Sequence, residues 1–222
     1  MGKYFGTDGF RGEANVTLTA DHAFRIGRFL GWYYGELKKR KGDSTPARIV
    51  VGKDTRRSGY MLEYSLVGGI VASGADVYML HVATTPCVAF SAKKDAFECG
   101  VMISAYYDNG IKLLNTNGEK METAVLDLIE DYLDGSVYVF GDEYTELPLA
   151  GRDRIGYVIH YANGRERYME RPIALGVPLD GYKIGLDCAN GSAWKMAKLV
   201  FEALGAEVHV IHAEPNGMNI ND

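Results

Sequence analysis

Two short segments carry residue types that could handle a phosphate group. The first is Gly6-Thr7-Asp8-Gly9-Phe10-Arg11-Gly12. Its glycines tolerate positive φ and let a ligand come close to the backbone. Thr7 and Asp8 can hydrogen-bond the turn locally. Arg11 brings a rigid fork of donors suited to phosphate oxygens. The same residues would also serve as a tight N-terminal turn with a surface arginine. The second segment is residues 100–112. An apolar stretch, Gly100 to Ile103, runs into Ser104 and Ala105. A turn-forming Asp108-Asn109-Gly110 follows, and Lys112 stands just beyond it. Lysine can act as an acid or base when burial or nearby cations lower its pKa. Otherwise Lys112 is an exposed lysine at a strand end.

Five segments, in order, carry a family resemblance. They are Lys3 to Gly12, Val51 to Gly59, Tyr107 to Lys112, Gly185 to Ser192 and Glu214 to Asn221. As a set they resemble bacterial phosphoglucosamine mutases, members of the α-D-phosphohexomutase superfamily. The chain departs from that pattern in three places. Lys53 stands where an arginine is usual in the Gly-Arg-Asp-Thr-Arg turn. Ala105 joins Tyr106 directly, without the Ser-His-Asn-Pro that holds the phosphorylated serine. The sequence stops at Asp222, before the Asp-rich magnesium loop, the sugar-recognition domain and the C-terminal phosphate-binding domain.

The resemblance implies phosphoryl transfer. A phosphoserine gives its phosphoryl group to glucosamine 6-phosphate, the bisphosphate turns around, and glucosamine 1-phosphate leaves. Such a reaction rests on positioning and charge stabilisation. By motif position, Arg11 contacts the transferring phosphate, and Lys112 is general acid/base or electrostatic partner. Gly9, Gly12 and Asn109 share the phosphate-binding surface with them, Asn109 and Gly110 shaping the loop. The family also implies magnesium and a hexose or hexosamine bisphosphate activator, with no metal ligand in these residues. With the serine and the metal loop missing, the expectation is a chain that does not turn over by itself. Two other readings stay open: a phosphoglucomutase or phosphomannomutase, and a non-catalytic binding or regulatory module built on the mutase fold. Ser104 belongs to the strand before the phosphoserine, so its side chain is expected to point elsewhere. Asp187 and Ser192 are expected to cap the helix that follows Asn190-Gly191.

Composition is that of an ordinary globular protein, 47% hydrophobic and 24% charged over 222 residues. A net charge of −5 argues against a nucleic-acid surface while allowing a local cationic pocket for a phosphosugar. Cys87, Cys99 and Cys188 lack metal-ligand spacing, and their odd number suits a reducing compartment. No signal peptide or membrane-spanning run is present, so the expected location is the cytoplasm. The five histidines show no zinc spacing.

The elements that must position these residues read as α/β. Thr19 can cap a helix from about 20 to 39, with apolar residues at helical spacing and Lys38 to Lys41 at its end. Trp32, Tyr33 and Tyr34 suit helix packing. Strands are expected at 48–52, 75–81, 100–103 and 112–114. Helices are expected at 59–73, from Pro86 to 93, at 122–133 and at 153–168. The pattern predicts a three-layer α/β/α mixed-sheet domain over residues 1–150. An incomplete second, related domain follows over 151–222, with the boundary near 147–151. A strand, a helix and a Gly-Ala-acid-Val junction occur at 48–80 and again at 183–211, suggesting a repeat. A short second sheet would leave an unpaired edge or an uncovered apolar face that a folded partner domain or self-association could cover.

Overall fold

The computed structural model describes residues 2–104 and 109–222. A seven-stranded mixed sheet holds the first unit together. In chain order its strands are β1 (Phe5–Gly6), β2 (Gly9–Gly12), β3 (Arg48–Lys53), β4 (Asp76–Val82), β5 (Cys99–Ile103), β6 (Asn109–Asn115) and, beyond a small hairpin, β9 (Val158–His160). In space the order is β1-β2-β6-β5-β3-β4-β9. Strands β5, β3, β4 and β9 run parallel, while β6 is antiparallel to β5 and to β2. The hairpin is β7 (Val137–Val139) with β8 (Asp142–Tyr144).

Side chains alternate across a strand, and here the alternation feeds two cores. Ile49, Val51, Val101, Ile103, Ile111 and Leu113 face helices α1 (Ala20–Arg40), α2 (Ser58–Ala72) and α4 (Thr123–Asp134). Val50, Leu80, Met102 and Leu114 face α3 (Thr85–Lys94), with α5 (Ala162–Leu175) packed beside it. A buried sheet with helices on both sides is the three-layer domain that the sequence predicts. Thr19 caps α1 by accepting from the backbone N–H of His22. Lys38, Lys39 and Arg40 fill its last turn, and Lys38 pairs with Asp43 and Glu98. Tyr33 stacks on Phe29 and on Phe140, a packing role.

The helix expected at 153–168 forms only from residue 162 onward. A 3-10 turn covers Arg152–Arg154, then β9, and α5 starts only at Ala162. The free edge of β4 explains the difference. Val158, Ile159 and His160 pair with Val77, Tyr78 and Met79, and that ladder outweighs local helical preference. Strand β9 thus joins the first sheet although it lies past the expected boundary. Inside that boundary, buried Arg28 of α1 donates to the carbonyls of Leu147 and Pro148.

The second unit holds β10 (Lys183–Asp187), α6 (Trp194–Ala203) and β11 (Glu207–Ile211), a parallel crossover. Its register matches β3–α2–β4. Arg48 opposes Asp76, and Lys183 opposes Glu207, each acidic residue directly after a Gly-Ala pair. The repeat is therefore structural as well as sequential. Asp187 and Ser192 do not cap α6. The helix begins after Ala193 without a side-chain cap, and Asp187 instead accepts from the backbone of Ala189 and pairs with His212. Among the described residues no helix is long and apolar enough to cross a membrane.

Candidate functional site

The carboxyl ends of β3, β4 and β5 point the same way, and the junction of β2 with β6 lies at that end of the sheet. In open α/β sheets this is where ligands bind. The N-terminal glycine loop is a hairpin, with Phe5 opposite Phe10 and Gly6 opposite Gly9. Its base is fixed by Glu130 of α4. That carboxylate accepts three consecutive backbone N–H groups, from Lys3, Tyr4 and Phe5, at 2.8, 2.8 and 2.6 Å. Phe5 and Phe10 meet edge to face beneath the hairpin.

Gly9 is at φ 95, and a Cβ there would lie 2.4 Å from the Ile111 carbonyl oxygen. Gly12 has no room for a side chain beside Thr17 and Leu18. The fold itself therefore requires glycine at both positions, and this is why the loop can press so closely against β6.

Arg11 opposes Gly110 in the β2–β6 ladder. Lys112 is two residues farther along β6, so Arg11 and Lys112 leave the same face of the sheet. That face is the α3 side, since Lys112 opposes Met102, a residue of that core. Arg11 lies across Gly110, where a Cβ would be 2.8 Å from its Cδ. Its Nε donates to the Asp8 carbonyl at 3.2 Å and its Nη1 to the Ser104 carbonyl at 3.1 Å. Lys112 Nζ is 3.5 Å from Asp8 Oδ1. A cavity of about 320 Å³ is lined here by Thr7, Asp8, Gly9, Thr85, Lys112 and Lys120, among others.

Asn109 opens β6 with its backbone opposite Gly12. Ala105, Tyr106, Tyr107 and Asp108 lie outside the described residues, and with them the junction where the serine segment is expected to be missing. Ser104 is described: its backbone N–H donates to Gly110 across the β5–β6 ladder.

The other motif segments come together at a second place. Thr55 Oγ1 donates to the carbonyl of Asn190 at 2.7 Å, in a buried setting. Arg57 N–H donates to the Gly217 carbonyl. Asn190, at φ 51, holds Asn219 and Glu214 with its side-chain amide. The turn after β3 is thus the seat of the second unit. Lys53, at its start, is 1% exposed, donates to the Asp54 carbonyl at 3.2 Å, and sits 3.5 Å from the centre of the Tyr60 ring. Burial lowers its pKa, with Glu63 and Asp54 opposing.

Glu130 and Lys120 escape the sequence reading. Glu130 could have been found, because it is a charge beside the inward apolar stripe of α4, next to Ile129. Lys120 has no such signal, since only the fold brings it to the cavity. Among the described residues no three His, Cys, Asp or Glu side chains come together as a metal set.

Comparison with known proteins adds the following. The family model described as phosphoglucomutase/phosphomannomutase, alpha/beta/alpha domain I, matches residues 2–137. Phosphoglucosamine mutase of Lachnospira eligens is 57% identical over 226 residues, covering 100% of this chain and 48% of that protein. That span is four residues longer than the chain. Phosphoglucosamine mutase of Streptococcus pneumoniae is 41% identical, with coverage of 100% and 47%. The chain spans about half the length of the relatives it matches. A phosphoglucomutase/phosphomannomutase family protein of Burkholderia thailandensis superposes with a TM-score of 0.74 at 23% identity, over 96% of this chain and 44% of that one. A putative phosphomannomutase of Thermus thermophilus gives 0.71 at 22% identity, over 96% and 46%. At such identities these two structures speak to the fold alone.

Proposed function

The chain belongs to the phosphoglucomutase/phosphomannomutase family, and from that premise we propose that it is the phosphate-gripping portion of a phosphoglucosamine mutase. The observation that carries this reading is the exit of Arg11 and Lys112 from one face of the sheet, at its ligand-binding end. Support for glucosamine phosphate over other hexose phosphates comes from relatives named phosphoglucosamine mutase at 41–57% identity over the whole chain.

In this reading Arg11 grips the phosphoryl oxygens with the donors left over from its two backbone carbonyls. Lys112 balances the charge that spreads over the transferring group, and Asp8 holds its amine in place until an anion arrives. These are positioning and electrostatic roles, which dominate phosphoryl transfer. The family expectation includes magnesium and a bisphosphate activator. The roles assigned here are those of protein side chains. A nucleophilic oxygen is also needed. Ser104 is a poor substitute, since its backbone is tied into the ladder and its carbonyl is taken by Arg11. The proposal therefore has the chain bind a phosphosugar in the cytoplasm without turning it over. Buried free thiols at Cys87 and Cys99 suit such a compartment.

The test is a coupled assay of glucosamine 1-phosphate formation with magnesium and bisphosphate present. It compares the 222-residue chain with a form that regains Ser-His-Asn-Pro between Ala105 and Tyr106 and the relatives' remaining length. Turnover by the restored form only is expected. Robust turnover by the chain itself would refute the reading of the loop. Silence from a folded restored form would refute the activity.

A further inference from the structure

Away from the loop site, one set of titratable side chains has no place in the mechanism. Glu63 of α2 is 0% exposed, and among the described residues neither of its carboxylate oxygens has a hydrogen-bond partner. Ionising such a group is costly, and burial pushes its pKa up to about 7. Its Oε2 lies 3.8 Å from Nδ1 of His81 on β4, just beyond hydrogen-bond reach. The other ring nitrogen of His81, Nε2, lies 2.8 Å from Nδ1 of His160 on β9, and the two rings stack with centroids 5.0 Å apart. His81 has φ 55, at the point where the β3–β4 register shifts. That conformation is uncommon outside glycine and persists only where the surroundings impose it.

Charged groups from two neighbouring elements act on His81, while His160 is exposed. Lys53 comes from β3, with Asp54 next to it. Arg165 comes from α5, its Nη1 donating to the Leu80 carbonyl at 2.7 Å. Burial is the first cause that holds the His81 pKa below the usual histidine value; His160, Arg165 and Lys53 add to it.

We propose that Glu63, His81 and His160 form a proton-linked latch, which holds β9 against β4 while the two facing histidine nitrogens share one proton and opens when each ring carries its own. Either tautomer gives the same result. Two ring nitrogens at this distance are joined only if one is N–H and the other is bare. When both rings are imidazolium, every ring nitrogen is a donor, and two positive charges meet beside Lys53 and Arg165. Because the His81 value is lowered, the latch is whole above pH 6.5 and is lost as pH falls below it. Strand β9 has only three residues on an outer edge, so one broken contact matters there. It leads directly into α5, and its release would loosen the second unit from the sheet.

Hydrogen exchange on the whole chain from pH 7.5 to 5.0 tests this. The amide of Tyr161 donates to Met79 and that of Val77 to Tyr157, one at each end of β9. After correction for intrinsic rates, protection at Tyr161 should fall about tenfold or more toward pH 5, while β3 amides hold steady. His160→Gln keeps a polar side chain without the charge, and its protection should stay flat. His81→Asn, which suits the positive φ, should stay flat as well. Steady protection in the parent would overturn the latch. So would an equal fall in the variants.

Discussion

Replacing Lys112 with methionine separates a binding role from a structural one. The ion pair it would remove joins Nζ to Asp8 at 3.5 Å, with side chains 32% and 68% exposed. Pairs that exposed contribute about 0–1 kcal/mol to folding. Methionine also preserves most of the aliphatic stem against the sheet. The folded state should therefore lose no more than about 1 kcal/mol. Binding should respond quite differently. A hydrogen bond to a charged partner contributes about 1.5–3 kcal/mol, which corresponds to roughly a 10- to 150-fold weaker phosphosugar affinity. Asp8 makes the upper part of that range more fitting. Without Lys112 its carboxylate has lost its counter-charge and faces the incoming anion. The assay is calorimetric titration with glucosamine 6-phosphate at low salt, where exposed charges are least screened. Urea unfolding of the same samples supplies the stability. An affinity within twofold of the parent would refute the assignment of Lys112 to the anion site. A stability loss well beyond 2 kcal/mol would show that the lysine is structural instead.

Three further outcomes are expected. Glu130→Ala leaves the N–H groups of residues 3–5 without their acceptor and should cost about 3 kcal/mol in urea unfolding, with phosphosugar affinity falling as the hairpin loosens; unchanged stability would refute the anchoring role. Glu63→Gln should matter more as pH rises: the native carboxyl titrates near 7 against an ordinary 4.5, so its favourable contribution is whole below pH 4.5 and lost through pH 7. By pH 8 the parent should have lost up to about 3 kcal/mol relative to the variant, and a pH-independent gap between the two unfolding curves would contradict this. Thr55→Val orphans the buried Asn190 carbonyl and should cost about 1–2 kcal/mol, read as faster hydrogen exchange at 188–191 and 214–221 with β3 and β5 unchanged; uniform exchange across the chain would argue against a local seat.

Where the sequence was readable, local pattern and tertiary demand agreed. Helix α1 shows its cap, its apolar stripe and its basic end in the residues alone. The three-layer core follows from short apolar strands between amphipathic helices. Arg11 and Lys112 drew notice because they carry the family motifs, and β2 and β6 bring them to one face of the sheet. Legibility failed where a distant partner decides. Val158 and Ile159 become a strand only because β4 has a free edge. Asp187 carries the residue type of a helix cap, yet it closes its own turn and binds His212. The glycines at 9 and 12 are also required by packing, since a side chain at either would meet β6 or Thr17. Histidines 81 and 160 are 79 positions apart, and no spacing rule joins them.

The four-residue gap expected at the β5–β6 junction has a thermodynamic side. The ladder from Cys99–Asn115 to Ile103–Ile111 is complete, and Ser104 still bonds Gly110. Five residues lie between those two, and four more would not double the loop. Loop-closure entropy then changes by less than about 0.6 kcal/mol. The fold is therefore nearly indifferent to whether the reactive segment is present. Arg11, Gly110 and Lys112 lie in strands paired within the sheet, β2 with β6 and β6 with β5. A scaffold of this kind can keep the charges of Arg11 and Lys112 in place whether or not a nucleophile stands beside them. Under the proposed function, binding and chemistry are therefore separable, and affinity for a phosphosugar is not by itself a measure of mutase activity.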